Sequence, residues 1–233
     1  MMARRGVLGL MVGAVSLLVG GCGRRNRSLR YRITVEVNTP SGVMSGSSVL
    51  ENESVGHSPI APSMDSGSAN TYGQAPIVDL GNGRFVFALL NDPNYRRSMT
   101  SIVLDLLRSQ DLQPPLADVN ASAFDQANAT KPFGVIRLEN SPMLVTFGNV
   151  NDPQSVTEVD ASNAAGALGS GYSIKQIVMQ VMDEDTPLTE GIEEKFSAIS
   201  QHELPFRKKA WGTLRSDDQA GDLSSGHFVW RKK

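Results

Sequence analysis

A single cysteine, three histidines and an aromatic content of 6% leave this 233-residue chain little material for several common chemistries. One cysteine cannot form an internal disulfide, so neither a disulfide scaffold nor an internal redox pair is open to it. Two of the histidines, His57 and His202, fall in stretches that read as loop or tail, and with His227 they are too few and too scattered for a histidine metal site or a serine-histidine triad. The main apolar run, Gly6 to Val19, has 14 residues and falls short of the ~20 needed to cross a bilayer. No charge of one sign dominates: the net charge is -2, and without Arg4 and Arg5 the remainder carries 20 basic against 24 acidic residues. Such a balance excludes wholesale nucleic-acid binding. There is no Gly-x-Ser-x-Gly elbow, Walker loop, His-Glu-x-x-His or dinucleotide-type glycine loop, and no repeat of solenoid length.

The amino terminus, by contrast, is rich in information. Residues 1–21 begin with Arg4 and Arg5, continue through the apolar run and end in small residues, the order of a secretory signal peptide. Leu18-Val19-Gly20-Gly21-Cys22 resembles the lipobox of bacterial lipoproteins, in which small residues admit a peptidase to the bond before the cysteine and the thiol accepts a diacylglycerol. Cys22 is therefore the expected lipidation site, and two or three acyl chains hold a protein far more firmly than the marginal single chain does. Arg4 and Arg5 leave both the general and the twin-arginine export routes open. By resemblance to the sorting rule of Gram-negative lipoproteins, Gly23 in place of aspartate favours the outer membrane, with the protein facing the periplasm. Residues 22–30 read as an arginine-rich tether, either held to an anionic surface or simply solvated.

The full chain has the 40% apolar and 20% charged composition of an ordinary globular protein, and the body, residues 31–200, has enough length to bury a core. Tyr31, Ile33, Val35 and Val37 alternate with polar residues, which predicts a half-buried strand; Thr39-Pro40-Ser41-Gly42 turns it into a partner over Val43 to Glu51. Asn52 to Gln74 reads as a surface loop. Pro76 to Leu80 and Arg84 to Leu90 flank Gly81-Asn82-Gly83 as a second hairpin, whose unbroken apolar run predicts a strand covered on both faces. Asp92 and Pro93 fit a helix N-cap and first turn, followed by an apolar stripe of Met99, Ile102, Val103, Leu106 and Leu107. Beyond a polar connection over Asp111 to Pro132, Gly134 to Leu138 and Met143 to Phe147 predict a third hairpin. Thr157 to Val159 and Tyr172 to Met182 predict strands, and Thr186 to Ile199 a helix burying Leu188, Ile192, Phe196 and Ile199. Residues 201–233 read as a C-terminal extension, with Phe228, Val229 and Trp230 docking on the body. The expected class is α+β and β-rich: antiparallel hairpins forming a sheet or sandwich-like domain with two packing helices.

YRITVEVNTPSGVMSGSSVLE, PIVDLGNGRFVFALL, PMLVTFGNVNDPQSVTEVD and LTEGIEEKF, in this order, resemble a family of uncharacterised bacterial envelope and exported proteins. The resemblance implies one domain from about Tyr31 to Ile199. It brings no activity and so no catalytic residue.

Carboxylates are the remaining chemical material. Asp183, Glu184 and Asp185, with Glu190, Glu193 and Glu194 behind them, have the ligand type for Ca²⁺ but not the spacing of a calcium loop, and acids at a helix start are favoured by the macrodipole in any case. Asp92 and Asp152, in repeated Asn-Asp-Pro tripeptides, pair as acid and base only if their turns meet. Ser45, Ser47 and Ser48 lack an identifiable base. No catalytic, metal or cofactor site is expected. The expected function is a membrane-anchored lipoprotein with a non-catalytic binding or structural role in the envelope, its partners the membrane through the lipid on Cys22 and an envelope protein or glycan. The alternative is an envelope-polymer hydrolase using acidic residues.

Overall fold

The computed structural model describes residues 27–54, 69–93, 97–109, 111–117, 123–200 and 222–232. The chain is α+β and β-rich, with two antiparallel sheets. Strands β1 (Arg27–Thr39) and β2 (Gly42–Ser54) form a hairpin in register from Arg27 opposite Ser54 to Thr39 opposite Gly42. Its turn is fixed by Thr39, whose hydroxyl accepts from Ser41 N at 3.1 Å and donates to the Gly42 carbonyl at 2.8 Å. Leu29, Tyr31, Ile33, Val35 and Val37 are fully buried, while the residues between them stay partly exposed. The strand takes in Arg27 to Arg30, assigned above to the tether, because Leu29 extends the same inward alternation.

β3 (Ala69–Gln74), β9 (Ser173–Val181), β6 (Phe133–Ile136) and β10 (Val229–Trp230) complete the larger sheet, ordered β10-β3-β2-β1-β9-β6. The smaller sheet is β4 (Ile77–Gly81), β5 (Arg84–Ala88), β7 (Leu144–Phe147) and β8 (Val156–Val159), in that spatial order. Asn82 and Gly83 turn β4 into β5 with φ of 54° and 73°, the positive values that a tight primed hairpin turn needs.

The smaller sheet is covered on both faces, as the Phe85 to Leu90 run requires. Val86, Ala88 and Leu90 join the core that it shares with β1 and with helix α1 (Met99–Arg108). Phe85, Phe87 and Leu89 point the other way, into a second core with Phe147, Phe196, Ile199, Leu223 and Phe228. The α1 stripe is buried at all five expected positions.

Several elements differ from the sequence expectation. The ends of the Asn52 to Gln74 loop are strand, the tip of β2 and all of β3. The connection before Pro132 holds helix α2 (Ala123–Thr130), which buries Phe124 and Ala127 and was hidden by an otherwise polar octet. β6 and β7 are not a hairpin: β6 pairs with β9 and β7 with β5 and β8, so Glu139 to Pro142 carries the chain between sheets. The helix over Thr186 to Ile199 is instead two four-residue turns, α4 (Ile192–Lys195) and α5 (Ser197–Ser200), separate from the small α3 (Ala165–Leu168). Thr189 bonds β2, its amide to the Val49 carbonyl at 3.2 Å and its hydroxyl accepting from Val49 N at 2.8 Å, which holds the preceding stretch extended. Ile192, Phe196 and Ile199 are buried as expected, while Leu188 is only half-buried.

Residues 222–232 belong to the body. The Phe228 carbonyl accepts from Ala75 N at 2.7 Å and the His227 carbonyl from Leu90 N at 2.9 Å, while Lys232 reaches Glu51 at 2.9 Å. Burial pushes the Glu51 carboxyl up, but its bonds to Lys232 and Arg30 outweigh that and hold it below the usual carboxylate value.

Candidate functional site

The second residue of α1 points its side chain toward β3. Ser98 caps the helix, accepting from Ser101 N at 3.1 Å, and so fixes where Thr100 stands. Thr100 and Thr71 hydroxyls lie 2.7 Å apart, and Thr71 donates to Asn52 Oδ1 at 2.9 Å. Thr71 has one proton, already given to Asn52, so Thr100 donates to Thr71. The buried Tyr31 hydroxyl also donates to Asn52 Oδ1, at 2.9 Å, and burial raises that phenol far above its ordinary value. Asn52 is fully buried and its Nδ2 has no hydrogen-bond partner among the described residues. A buried amide with an unmet donor is costly, so this chain of side chains is held by the strands around it.

Above that chain lies a cavity of about 420 Å³, within the range of small-ligand sites. Asn70 and Thr71 of β3 form one wall, Asn91, Ser98 and Thr100 a second, and Ser224, Gly226, His227 and Trp230 the third. Among the described residues its lining holds no acidic side chain, lysine or arginine. Trp230 is 52% exposed, so much of its indole surface is open where it lines the cavity. Its ring would lie 3.7 Å from a Cβ placed on Gly226, ordinary van der Waals contact, so the indole packs against the turn that carries Gly226.

His227 is the lining group that titrates. Its Nδ1 is 3.0 Å from Ser224 N and 3.2 Å from the Ser224 carbonyl. Burial pushes the imidazole below its ordinary value, opposed by the Ser224 backbone and by the negative charge of Asp92. Unfolding therefore raises its affinity for a proton. Stability is complete above the ordinary imidazole value, near pH 6.5, and declines as the pH falls through it toward the depressed folded value. The melting midpoint is expected to fall between about pH 7.5 and pH 5 and to fall less in His227→Gln; parallel profiles for the two proteins would refute the assignment.

The other sequence candidates are dispersed. Asp92 is buried but does not cap α1, which begins six residues later than Pro93 under Ser98; its carboxylate accepts from Arg97 N at 3.0 Å. Asp152 caps a short 3₁₀ turn by accepting from Gln154 N at 3.0 Å. Neither carboxylate lines any of three cavities among the described residues, and each is engaged in its own local turn. Asp183 lies 3.4 Å from Lys131, Glu184 accepts from Asn128, and Glu190 and Glu193 hold Arg231. Among the described residues no three metal-ligating side chains cluster. Ser45, Ser47 and Ser48 lie on β2, with Ser48 buried. Cys22, His57 and His202 lie outside the described residues.

A second depression, about 270 Å³ between α1 and β6, is lined by charges of both signs, Arg97 and Arg137 with Asp105, Asp111 and Glu139. Some are satisfied locally, Arg137 by Glu139 at 3.4 Å and Asp105 by Arg108 at 3.5 Å. The cavity beside Trp230, uncharged among its described lining residues, is thus the more distinctive site. Sequence reasoning missed most of it, since β3 read as loop and the last residues as tail; the apolar triplet Phe228-Val229-Trp230 was the signal available.

Comparison of the chain with protein families, with curated proteins and with solved structures gives no match. The chemistry of the site therefore rests on its own residues.

Proposed function

We propose that the chain is a lipid-anchored bacterial envelope protein whose β-rich body has a binding role. The observation that carries this reading is the leader ending in Leu18-Val19-Gly20-Gly21-Cys22, with the only cysteine of the chain at the acceptor position. The lining of the cavity supports a binding role: its side-chain hydroxyls and amides, one imidazole and one indole can make hydrogen bonds and surface contacts to a ligand. Gly23 favours the outer membrane, with the body facing the periplasm.

Because β1 begins at Arg27, the span from Cys22 to the sheet is at most about 17 Å. The body then works close to the membrane surface, with Arg24 and Arg25 in the intervening sequence. Labelled fatty acid is expected to enter the wild-type protein expressed in a bacterial host and to be absent from Cys22→Ser. Equal labelling of the two proteins would end this reading.

A further inference from the structure

The geometry points to the cavity between β3, the start of α1 and the C-terminal turn as a binding site for an uncharged sugar, a segment of two or three residues of a neutral glycan. The inference deepens the binding role proposed above by naming its ligand class. It does not depend on the anchor.

Three features of the cavity carry it. The first is charge. A charged ligand entering a cavity without an opposite charge loses hydration that nothing repays, whereas a neutral polyol exchanges water hydrogen bonds for protein ones. Among the described residues the lining side chains Asn70, Asn91, Thr71, Thr100, Ser98 and Ser224 carry no charge, and burial holds His227 toward its neutral form. The second is the type of hydrogen-bonding group. Amides and hydroxyls both donate and accept, as sugar hydroxyls do, so neighbouring sugar oxygens find complementary groups without any proton being misplaced. The third is Trp230. The C–H bonds on one face of a pyranose carry partial positive charge and match the negative face of an indole, which also removes apolar ring surface from water. A half-exposed tryptophan beside amides and hydroxyls offers both halves of a sugar's surface a partner at once.

Size and rigidity agree. About 420 Å³ accommodates more than a single small ion, and the walls are pinned from behind by the Tyr31, Asn52, Thr71 and Thr100 chain and by the strand pairing of Trp230 with Gly73. A site whose side chains are already held in place loses less entropy on binding.

Tryptophan emission tests this directly. The chain has two tryptophans, so Trp211→Phe leaves Trp230 as sole reporter in the full chain purified in detergent. Titration with the neutral trisaccharides of N-acetylglucosamine and of glucose is expected to give a saturable change in Trp230 emission for at least one of them. The galacturonic acid trimer, which adds carboxylates to a similar polyol, and inorganic phosphate are expected to give none. Asn70→Leu, at an exposed strand position, is expected to weaken the response about tenfold or more with an unchanged melting midpoint. Trp230→Ala should abolish the heat of binding seen by calorimetry. No saturable response to either neutral trisaccharide would overturn the proposal, as would an equal response to the acidic trimer or to phosphate. Fatty-acid labelling of Cys22 together with a silent titration would remove the sugar and leave the anchor; a response without labelling would do the reverse.

Discussion

Gly46→Ala is expected to lower the melting midpoint by about 6–12 °C, although it adds a single methyl group to a strand. A Cβ on Gly46 would stand 1.8 Å from the carbonyl oxygen of Ile77 and 2.4 Å from its carbonyl carbon. Both are backbone atoms of β4, so no side-chain rotation relieves the clash. β2 and β4 belong to different sheets, and Gly46 is where they touch. Relief requires the sheets to separate, which disturbs Val35, the cross-strand partner of Gly46, and Val78 beyond Ile77, both fully buried. Overpacking of this kind costs about 3 kcal/mol, at the upper end of the usual range. Gly166→Ala is the control: it lies in α3, a Cβ there meets nothing nearer than 3.9 Å, and alanine is the better helix residue, so it should be neutral or slightly stabilising. Thermal unfolding followed by circular dichroism decides the matter. Matching midpoints for the two variants would mean that the sheets do not meet at Gly46.

Nothing in the sequence marks Gly46 in this way, and the reason is general. Gly42, Gly81 and Gly83 lie in turn sequences and have positive φ, so local chemistry announces them. Gly46 has an ordinary strand conformation, and only the approach of a segment thirty residues away makes it necessary. What was legible was local periodicity: the alternation in β1, the two-faced burial of β5 and the stripe of α1 follow from residue spacing that one element displays by itself. What was not legible was pairing. Glu139-Asn140-Ser141-Pro142 has the composition of a hairpin turn, yet it links sheets, because Gly134 and Ile136 find β9 and Leu144 finds β5 and β8. The predicted helix over Thr186 to Ile199 failed for a related reason. Its periodic residues do face a core, but Thr189 is taken by the backbone of β2 and Gly191 adopts φ of 113°, so helix forms only after that point.

The site was less legible than the fold. Asn52 and Thr71 read as polar loop residues, because the energy that buries them comes from strands on either side and leaves no apolar mark on their own sequence. Trp230 was visible as part of an apolar triplet, but the wall that it completes is drawn from β3, the α1 cap and a turn of the C-terminal segment. A cavity assembled from single residues of distant segments has no spacing to read.

Phe228 holds that assembly, and Phe228→Ala is expected to have an effect as large as that of Gly46→Ala or larger. The ring is fully buried, edge-on to Phe87 at 5.6 Å and 80°, and 6.0 Å from Phe147. Removing such a side chain costs about 3–5 kcal/mol, which lowers the midpoint of a body this size by about 6–20 °C. A second effect separates Phe228 from other core phenylalanines. Phe147→Ala also opens a cavity in the same cluster, but β7 remains held by β5 and β8. The C-terminal segment is otherwise held by Leu223, by the backbone bonds to Ala75 and Leu90, by the pairing of β10 with β3 and by the ion pairs of Arg231 and Lys232, but Phe228 is its largest buried side chain, so loss of the ring weakens its attachment as well as the core. In the Trp211→Phe background, Phe228→Ala should therefore shift Trp230 emission to the red below the melting transition, whereas Phe147→Ala should not. If both variants lower the midpoint equally and neither shifts the emission, the segment is held without the ring. If the emission does shift, Ser224, His227 and Trp230 have left together, and the cavity has lost a wall without any of its lining residues being changed.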